Sequence, residues 1–304
     1  MYLGETFIDD TFAEAFGMRY TRLIITAHDS YWLAAAVREV CGYASSVIAC
    51  DAEVGVEHYL SADESPDGRP GVAVLVFGFS VDALATAIPN RVGQCVMTCP
   101  STAVYNGLPG TEQRLPLGKH IRFFGDGFQK SKLIGENRYW RIPVMDGEFL
   151  VEEFLGVERG VAGGNIILQA VDQPTGLDSA RRASEALQNR SGTITPFPGG
   201  VARSGSKVGS RYKGLAASTA VAFCPTLRGR VESQLHPQAH CAYEIVIDGI
   251  SSAAVENAMR IAIHAAAGTG IVAISAGNYG GKLGKFHFSI RQLLRDAPAG
   301  AQRK

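Results

Sequence analysis

One acid in this chain stands where an acid is out of pattern. The stretch Cys241-Ala242-Tyr243-Glu244-Ile245-Val246-Ile247-Asp248-Gly249 reads as a strand, and alternation puts Tyr243, Ile245 and Ile247 on one face and Glu244, Val246 and Asp248 on the other. Glu244 is then a carboxylate beside an apolar neighbour, which leaves two readings. Either it lies on a solvated face or pairs with a basic neighbour, or this strand is where the chain keeps its chemistry.

Small polar clusters lie to either side. Pro196-Phe197-Pro198-Gly199-Gly200, Ser204-Gly205-Ser206-Lys207-Val208-Gly209-Ser210 and Cys224-Pro225-Thr226 offer backbone N–H groups, hydroxyls and a cation. That set suits an anionic or carbonyl-bearing ligand, and it equally suits a surface loop. Asn278-Tyr279-Gly280-Gly281-Lys282-Leu283-Gly284 follows a strand and reads as a cradle for a ring and a carbonyl, or as a turn. The candidate binding residues are Phe197, Gly199, Gly200, Ser206, Lys207, Ser210, Asn278, Tyr279 and Lys282, around Glu244 as the candidate catalytic group.

Competing chemistries lack their spacing. His236, His240 and Cys241 form H-x-x-x-H-C without a fourth clustered ligand, so no metal is expected. Gly118-Lys119-His120 lacks the spacing and the hydroxyl of a phosphate loop, and no G-x-S-x-G elbow occurs. Gly160-Val161-Ala162-Gly163-Gly164-Asn165 precedes a strand rather than following one, which reads as a tight backbone crossing and not a dinucleotide fingerprint.

The elements that position these groups follow from periodicity. Arg22-Leu23-Ile24-Ile25-Thr26-Ala27 reads as a strand and Ser30 as the cap of a helix with Trp32, Leu33, Ala36, Val37 and Val40 on one stripe. A short strand at 46–48, a turn-rich loop at 65–71, a strong strand at 72–77 and a helix capped by Ser80 come next, with Pro89 ending or kinking the helix. Strands are expected at 95–98 and 121–124. The pattern then restarts: Leu-Ile-Ile-Thr-Ala at 23–27 is answered by Ile-Ile-Leu-Gln-Ala at 166–170, an offset of 143 residues. A helix follows from Asp178 or Ser179, and 219–223 is the candidate for the second copy's short strand. The strand at 243–247 answers 72–77, a helix capped by Ser251 or Ser252 comes next, and strands at 272–275 and 286–289 close the copy. Each half reads β-α-β-β-α-β, so the expected fold is α+β, two ferredoxin-like (split βαβ) lobes related by an internal repeat. The lobes are 1–146 and 147–304, the second carrying an inserted loop at 191–240 and a tail at 296–304 expected to be mobile.

Composition narrows the partners. The chain has 304 residues, 46% of them hydrophobic, enough to bury a sizeable core in two lobes. Lys plus Arg equals Asp plus Glu at 29 each, which gives no electrostatic reason to expect nucleic acid or an anionic membrane. There is no secretory pattern at the amino end and no apolar run of the ~20 residues that a membrane helix needs. With six scattered cysteines read as reduced thiols, a cytoplasmic protein is expected.

Taken together, long strings of this sequence resemble the formylmethanofuran:tetrahydromethanopterin formyltransferase family, in its bacterial form the D subunit of the formyltransferase/hydrolase complex of methylotrophs. They are DDTFAEAF (9–16), SPDGRPGV (65–72), VGQCVMT (92–98), FFGDG (123–127), GVAGGN (160–165), PFPGG, SKVGS, YEIVI and SAGNYGGKLG (275–284). The resemblance implies an enzyme that moves a formyl group between the amine of methanofuran and N5 of tetrahydromethanopterin. These carriers would be cosubstrates, with no tightly bound cofactor, no metal and no covalent acyl-enzyme. It implies a catalytic role for Glu244, which matches a family glutamate through YEIVI, as an acid or base whose pKa burial would raise towards neutrality. It also implies a homo-oligomer or assembly with other subunits of a complex, and the charge balance favours the bacterial type. A silent carrier-binding or scaffolding subunit is the alternative. Residues 227–240 and the tail carry none of these strings.

Overall fold

A computed structural model describes residues 1–295, and the tail 296–304 lies outside the described residues. The chain forms two compact units. One takes Met18–Gly160 with Asn189–Pro196, the other Met1–Gly17, Val161–Gln188 and the chain from Phe197 onward. The borders at residues 17/18 and 160/161 fall inside two long strands, Phe12–Thr26 and Glu158–Ala170. Compactness therefore follows these strands and not the chain order of the repeat.

In the first unit, Glu53–Leu60 pairs with Gly71–Gly78, which pairs with the 18–26 part of Phe12–Thr26, which pairs with Ala103–Asn106, all antiparallel. Helices Ser30–Val40 and Val81–Arg91 make the two crossovers, which is the split βαβ order. Ile25 stands opposite both Val72 and Val104 and Leu23 opposite Val74, so one sheet face is apolar. Leu33, Val37, Val40, Leu84 and Ile88 of the helices pack onto it. Gly147–Glu152 extends the sheet parallel to Ala103–Asn106, followed by Asn137–Val144 and Lys130–Ile134.

The second unit repeats the plan. The 161–170 part of Glu158–Ala170 lies between Cys241–Gly249 and Ile271–Ser275, antiparallel to both, and Thr6–Ile8 runs parallel beside Ile271–Ser275. Ile166 is paired with Ile245, and Leu168 with Tyr243 and Ile274. Helices Gln173–Leu187 and Ser252–Ala266 cover that face with Ala180, Ala183, Val255, Met259 and Ala262. The offset of 143 also separates the first helical residues, Ser30 and Gln173. The fold is thus α+β with two ferredoxin-like lobes.

Several local expectations are corrected. Residues 46–48 form a turn, and the strand is Glu53–Leu60. Its period was hidden because two acids, Glu53 and Glu57, are buried in it. The run at 95–98 is not a strand: it starts in a π-helical extension, Val92–Val96, of the helix that runs through Pro89 and ends in a turn at 97–98. Residues 121–124 are helical turns rather than a strand, with Phe123 and Phe124 exposed. Asp29, not Ser30, caps the first helix, accepting from the N–H groups of Tyr31 and Trp32. The second-copy helix starts at Gln173 under the cap of Asp172, five residues before Asp178. Its first turn holds Gly176, where a Cβ would lie 2.8 Å from the Tyr243 ring and 3.1 Å from Ala170 Cβ, so a turn-like residue is what lets the helix pack. Residues 219–223 include a 3-10 turn at Val221–Phe223 and give no strand beside Cys241–Gly249.

The Gly160-to-Asn165 string does not precede a strand but lies inside Glu158–Ala170, where the strand bulges. Register shifts between Val161 and Gly164, Gly163 has φ +89°, and its N–H donates to Asp248 Oδ1 at 2.9 Å. A Cβ on Gly164 would stand 2.3 Å from Val255 Cγ1. Gly164→Ala is therefore expected to cost about 1–3 kcal/mol by overpacking. Urea denaturation checks this, and Val255→Ala in the same chain should recover part of the loss.

Candidate functional site

The strand that carries Glu244 has the limits its sequence suggested, Cys241–Gly249. Tyr243, Ile245 and Ile247 anchor its inner face in the core, which turns Glu244 to the opposite face. There the backbone of Glu244 exchanges two hydrogen bonds with Ala202, at 2.8 and 3.0 Å, in an isolated antiparallel bridge. This bridge stands where a further strand would continue the sheet, and it brings the inserted loop to Glu244. The side chain is half-buried, and among the described residues no donor or cation pairs with its carboxylate. Burial alone pushes the Glu244 carboxyl up to about 7, because nearby protein displaces the water that would stabilise its charge.

The second component is the loop after Ile271–Ser275. Asn165 fixes its start: Gly277 N–H donates to Asn165 Oδ1 at 2.6 Å, and Asn165 Nδ2 donates to the Gly277 carbonyl at 3.1 Å. Glu14, on Phe12–Thr26 and only 1% exposed, then collects the turn. Its Oε2 accepts from Tyr279 N–H at 2.7 Å and Gly281 N–H at 2.8 Å, and its Oε1 accepts from Leu283 and Gly284 N–H at 2.6 Å each. Burial works to raise the Glu14 pKa, but these four donors prevail and hold it below the usual carboxylate range. Tyr279 packs on Phe16 with ring centroids 6.1 Å apart. Its hydroxyl is held protonated first by burial and further by the charges of Glu244 and Glu14, against a hydrogen bond with Ser206. Glu244, Tyr279, Ser206 and Glu14 thus form one electrostatic group.

The remaining candidates fall around it in different roles. Gly199 and Gly200 have φ of +63° and +77°, with Gly200 N–H donating to the Phe197 carbonyl at 2.7 Å and Ser184 Oγ to the Gly199 carbonyl at 2.9 Å. Phe197 is half-buried at the head of this turn. Lys207 is exposed on a two-residue strand, paired with Ser218, and Ser210 Oγ accepts from Tyr212 N–H at 3.1 Å. Lys282 is exposed at the loop tip. The exposed Asn278 donates through its amide at 3.1 Å to Thr11 Oγ1 and to the Phe12 carbonyl, while its Oδ1 accepts from Gly280 N–H at 3.0 Å. It serves the loop, which leaves Tyr279, itself hydrogen-bonded to Ser206, as the polar side chain coupled to Glu244.

His236 and Cys241 are engaged locally. His236 Nδ1 accepts from Gln238 N–H at 3.3 Å, and Cys241 Sγ donates to the Asp172 carbonyl at 3.1 Å. Among the described residues no group of three or more His, Cys, Asp or Glu side chains is placed to hold a metal ion, and no helix is long and apolar enough to cross a membrane. Glu14, Asn165 and Ala202 were not singled out from the sequence as site residues. Only Glu14 carried a local signal, an acid between two alanines.

Comparison with known proteins gives a consistent result. The family model for formylmethanofuran-tetrahydromethanopterin formyltransferase matches residues 1–144, and the model for the proximal lobe of that family matches residues 147–293. A formylmethanofuran--tetrahydromethanopterin formyltransferase of Methylobacillus flagellatus is 52% identical over 97% of this chain and 100% of its own. Two solved structures superpose closely. The formyltransferase of Methanosarcina barkeri gives a TM-score of 0.90 at 42% identity, covering 96% of this chain and 100% of its own. A chain of the formyltransferase/hydrolase complex of Methylorubrum extorquens, solved with methylofuran, gives 0.92 at 47% identity, covering 97% and 98%.

Proposed function

This chain belongs to the formylmethanofuran-tetrahydromethanopterin formyltransferase family, and from that premise we propose how its own residues carry the reaction. It is a formyltransferase that moves a formyl group between the amine of a methanofuran-type carrier and N5 of tetrahydromethanopterin. Both carriers are cosubstrates. The amine nitrogen of one attacks the formyl carbon held by the other, giving a tetrahedral intermediate whose oxygen carries the negative charge. Glu244 takes the proton released by the attacking nitrogen and gives it to the leaving nitrogen. The carbon–nitrogen bond that breaks then leaves a neutral amine, and no covalent enzyme intermediate is needed. Tyr279, kept protonated beside Glu244, offers a hydroxyl donor to the oxyanion.

The observation that carries this reading is a carboxyl with a pKa of about 7 and no partner of its own among the described residues. A group of that pKa is suited to both accepting and returning a proton near neutral pH. Phe197, Gly199, Gly200, Ser206, Lys207, Ser210, Asn278 and Lys282 are proposed to shape the carrier site, Asn278 by holding the loop. The lobes 1–146 and 147–304 are proposed as the duplicated units, supported by the 143-residue offset shared by strings and helix starts. The chain is proposed to work in the cytoplasm, supported by six free cysteines, as a homo-oligomer or with the further subunits of a complex like that of Methylorubrum extorquens. The test is the pH dependence of kcat with both carriers saturating: a limb near pH 7 is expected, and a rate flat from pH 5 to 9 would remove Glu244 from the proton transfers.

A further inference from the structure

The proton transfers leave the buried carboxylate of Glu14, beside the same loop, without a task. We propose that Glu14 is a positioning residue: by gathering four backbone N–H groups it locks the 277–284 loop in the one conformation that brings Tyr279 up to Glu244 and keeps water away from that acid. The inference rests on the reading of Glu244 as the proton-transfer group.

The geometry is that of a closed clasp. Each Glu14 oxygen accepts two N–H groups at 2.6–2.8 Å, so all four come from within six residues of one loop. Glu14 itself is fixed because Phe286–Ser289 pairs with the strand in register, His287 opposite Glu14. The loop has little freedom to choose another path. Gly280 and Gly281 have φ of +72° and +71°, and a Cβ on Gly284 would meet the Ala15 carbonyl oxygen at 2.4 Å and Glu14 Cγ at 2.8 Å. Only an ionised carboxylate presents two acceptor oxygens to four donors. An amide of the same shape would turn its NH2 towards two of those N–H groups.

Glu14 keeps its charge where Glu244 titrates, since the four N–H groups outweigh burial and hold its pKa below the usual carboxylate range. The titratable and charged groups around the pair are Tyr279, Lys282 and Lys285 from the loop and its exit, His287 from Phe286–Ser289, and Arg203 from the segment bridged to Glu244. Of these, Tyr279 is the one whose ionisation is coupled to both acids.

Glu14→Gln and Glu14→Asp, made in the full chain, provide the test, with Glu244→Gln alongside. In Glu14→Gln the amides of Tyr279, Gly281, Leu283 and Gly284 are expected to exchange at least about tenfold faster, with those of Cys241–Gly249 unchanged. The kcat is expected to fall about 10–100-fold, as for a misplaced site group, with smaller changes in KM. The kcat limb is expected to move from near pH 7 towards the ordinary carboxylate range as water reaches Glu244. Glu14→Asp, which keeps the charge but retracts it by one methylene, should fall between. Fast loop exchange with an unmoved limb and kcat within twofold of the parent would make Glu14 merely structural and overturn the proposal, as would unchanged protection of the four amides. If Glu14→Gln does not fold, Glu14→Asp carries the same three readouts. A limb that survives in Glu244→Gln counts against Glu244 and not against Glu14, whose clasp is then judged by exchange and kcat.

Discussion

Glu244→Gln is expected to lower kcat by about 10²–10⁴-fold, the range spanned by loss of a positioned acid or base. The substitution is close to isosteric, so the inner-face anchors Tyr243, Ile245 and Ile247 and the backbone bridge to Ala202 stay as they are. What is lost is the capacity to take a proton from one nitrogen and return it to the other. The expected signature is a fall in kcat with KM for both carriers nearly unchanged, because the proton moves only after binding. Activity within about threefold of the parent, with circular dichroism showing an intact fold, would defeat the assignment.

The same variant tests the cause of the pKa. In the folded chain the Glu244 carboxyl sits at about 7, above its ordinary 4.5, because burial disfavours the charged form. Its contribution to stability is therefore fully present below pH 4.5 and is lost as pH rises through 7. Glutamine cannot ionise and escapes that loss. The melting temperature of Glu244→Gln relative to the parent should rise between pH 5 and pH 8, and a constant difference across that range would mean that Glu244 titrates normally.

Arg22→Met is expected to destabilise the chain by about 3–5 kcal/mol, the cost of leaving a buried charge without its partner. Glu57 has a fully buried side chain and accepts from Arg22 Nε at 2.6 Å and Nη2 at 2.7 Å, and from Gly192 N–H at 2.5 Å. The Arg22 stem packs on Gly107, where a Cβ would lie 2.6 Å from Arg22 Cγ. Methionine keeps much of that apolar stem while removing the charge, which separates packing from ion pairing. Urea denaturation of the single variant and of Arg22→Met with Glu57→Leu makes the comparison. The double variant should recover most of the loss, since a buried pair replaced by apolar groups is often near neutral. A single-variant loss under about 1 kcal/mol would show that water reaches Glu57 once the arginine is gone.

Those two residues also show why part of the fold was hard to read. Glu53–Leu60 alternates poorly because its acids face inward, and their inward position makes sense only once Arg22 and Gly192, 35 and 135 residues from Glu57, are beside it. The run at 95–98 failed as a strand for a related reason. Three apolar residues fit a strand or a buried helical turn, and only packing onto the first helix and the preceding one selects the π-helical turn Val92–Val96. The helix expected from Asp178 or Ser179 begins earlier, because Gly176 lets the first turn of Gln173–Leu187 approach Tyr243.

What the amino-acid order determined by itself was everything that depends on short-range period and repetition. The limits of Cys241–Gly249, the two faces of that strand, the Ser80 cap and the 143-residue repeat all lie in spacings of a few residues or in strings that recur. Tertiary structure decided which acids matter and in what state. The sequence marks Glu244 as out of pattern but does not set its pKa, which burial lifts to about 7. Glu14 meets the N–H groups of a loop 265 to 270 residues away, and a pairing at that separation leaves no period in the sequence, because it is set by where two strands and a turn come together and not by any neighbour along the chain.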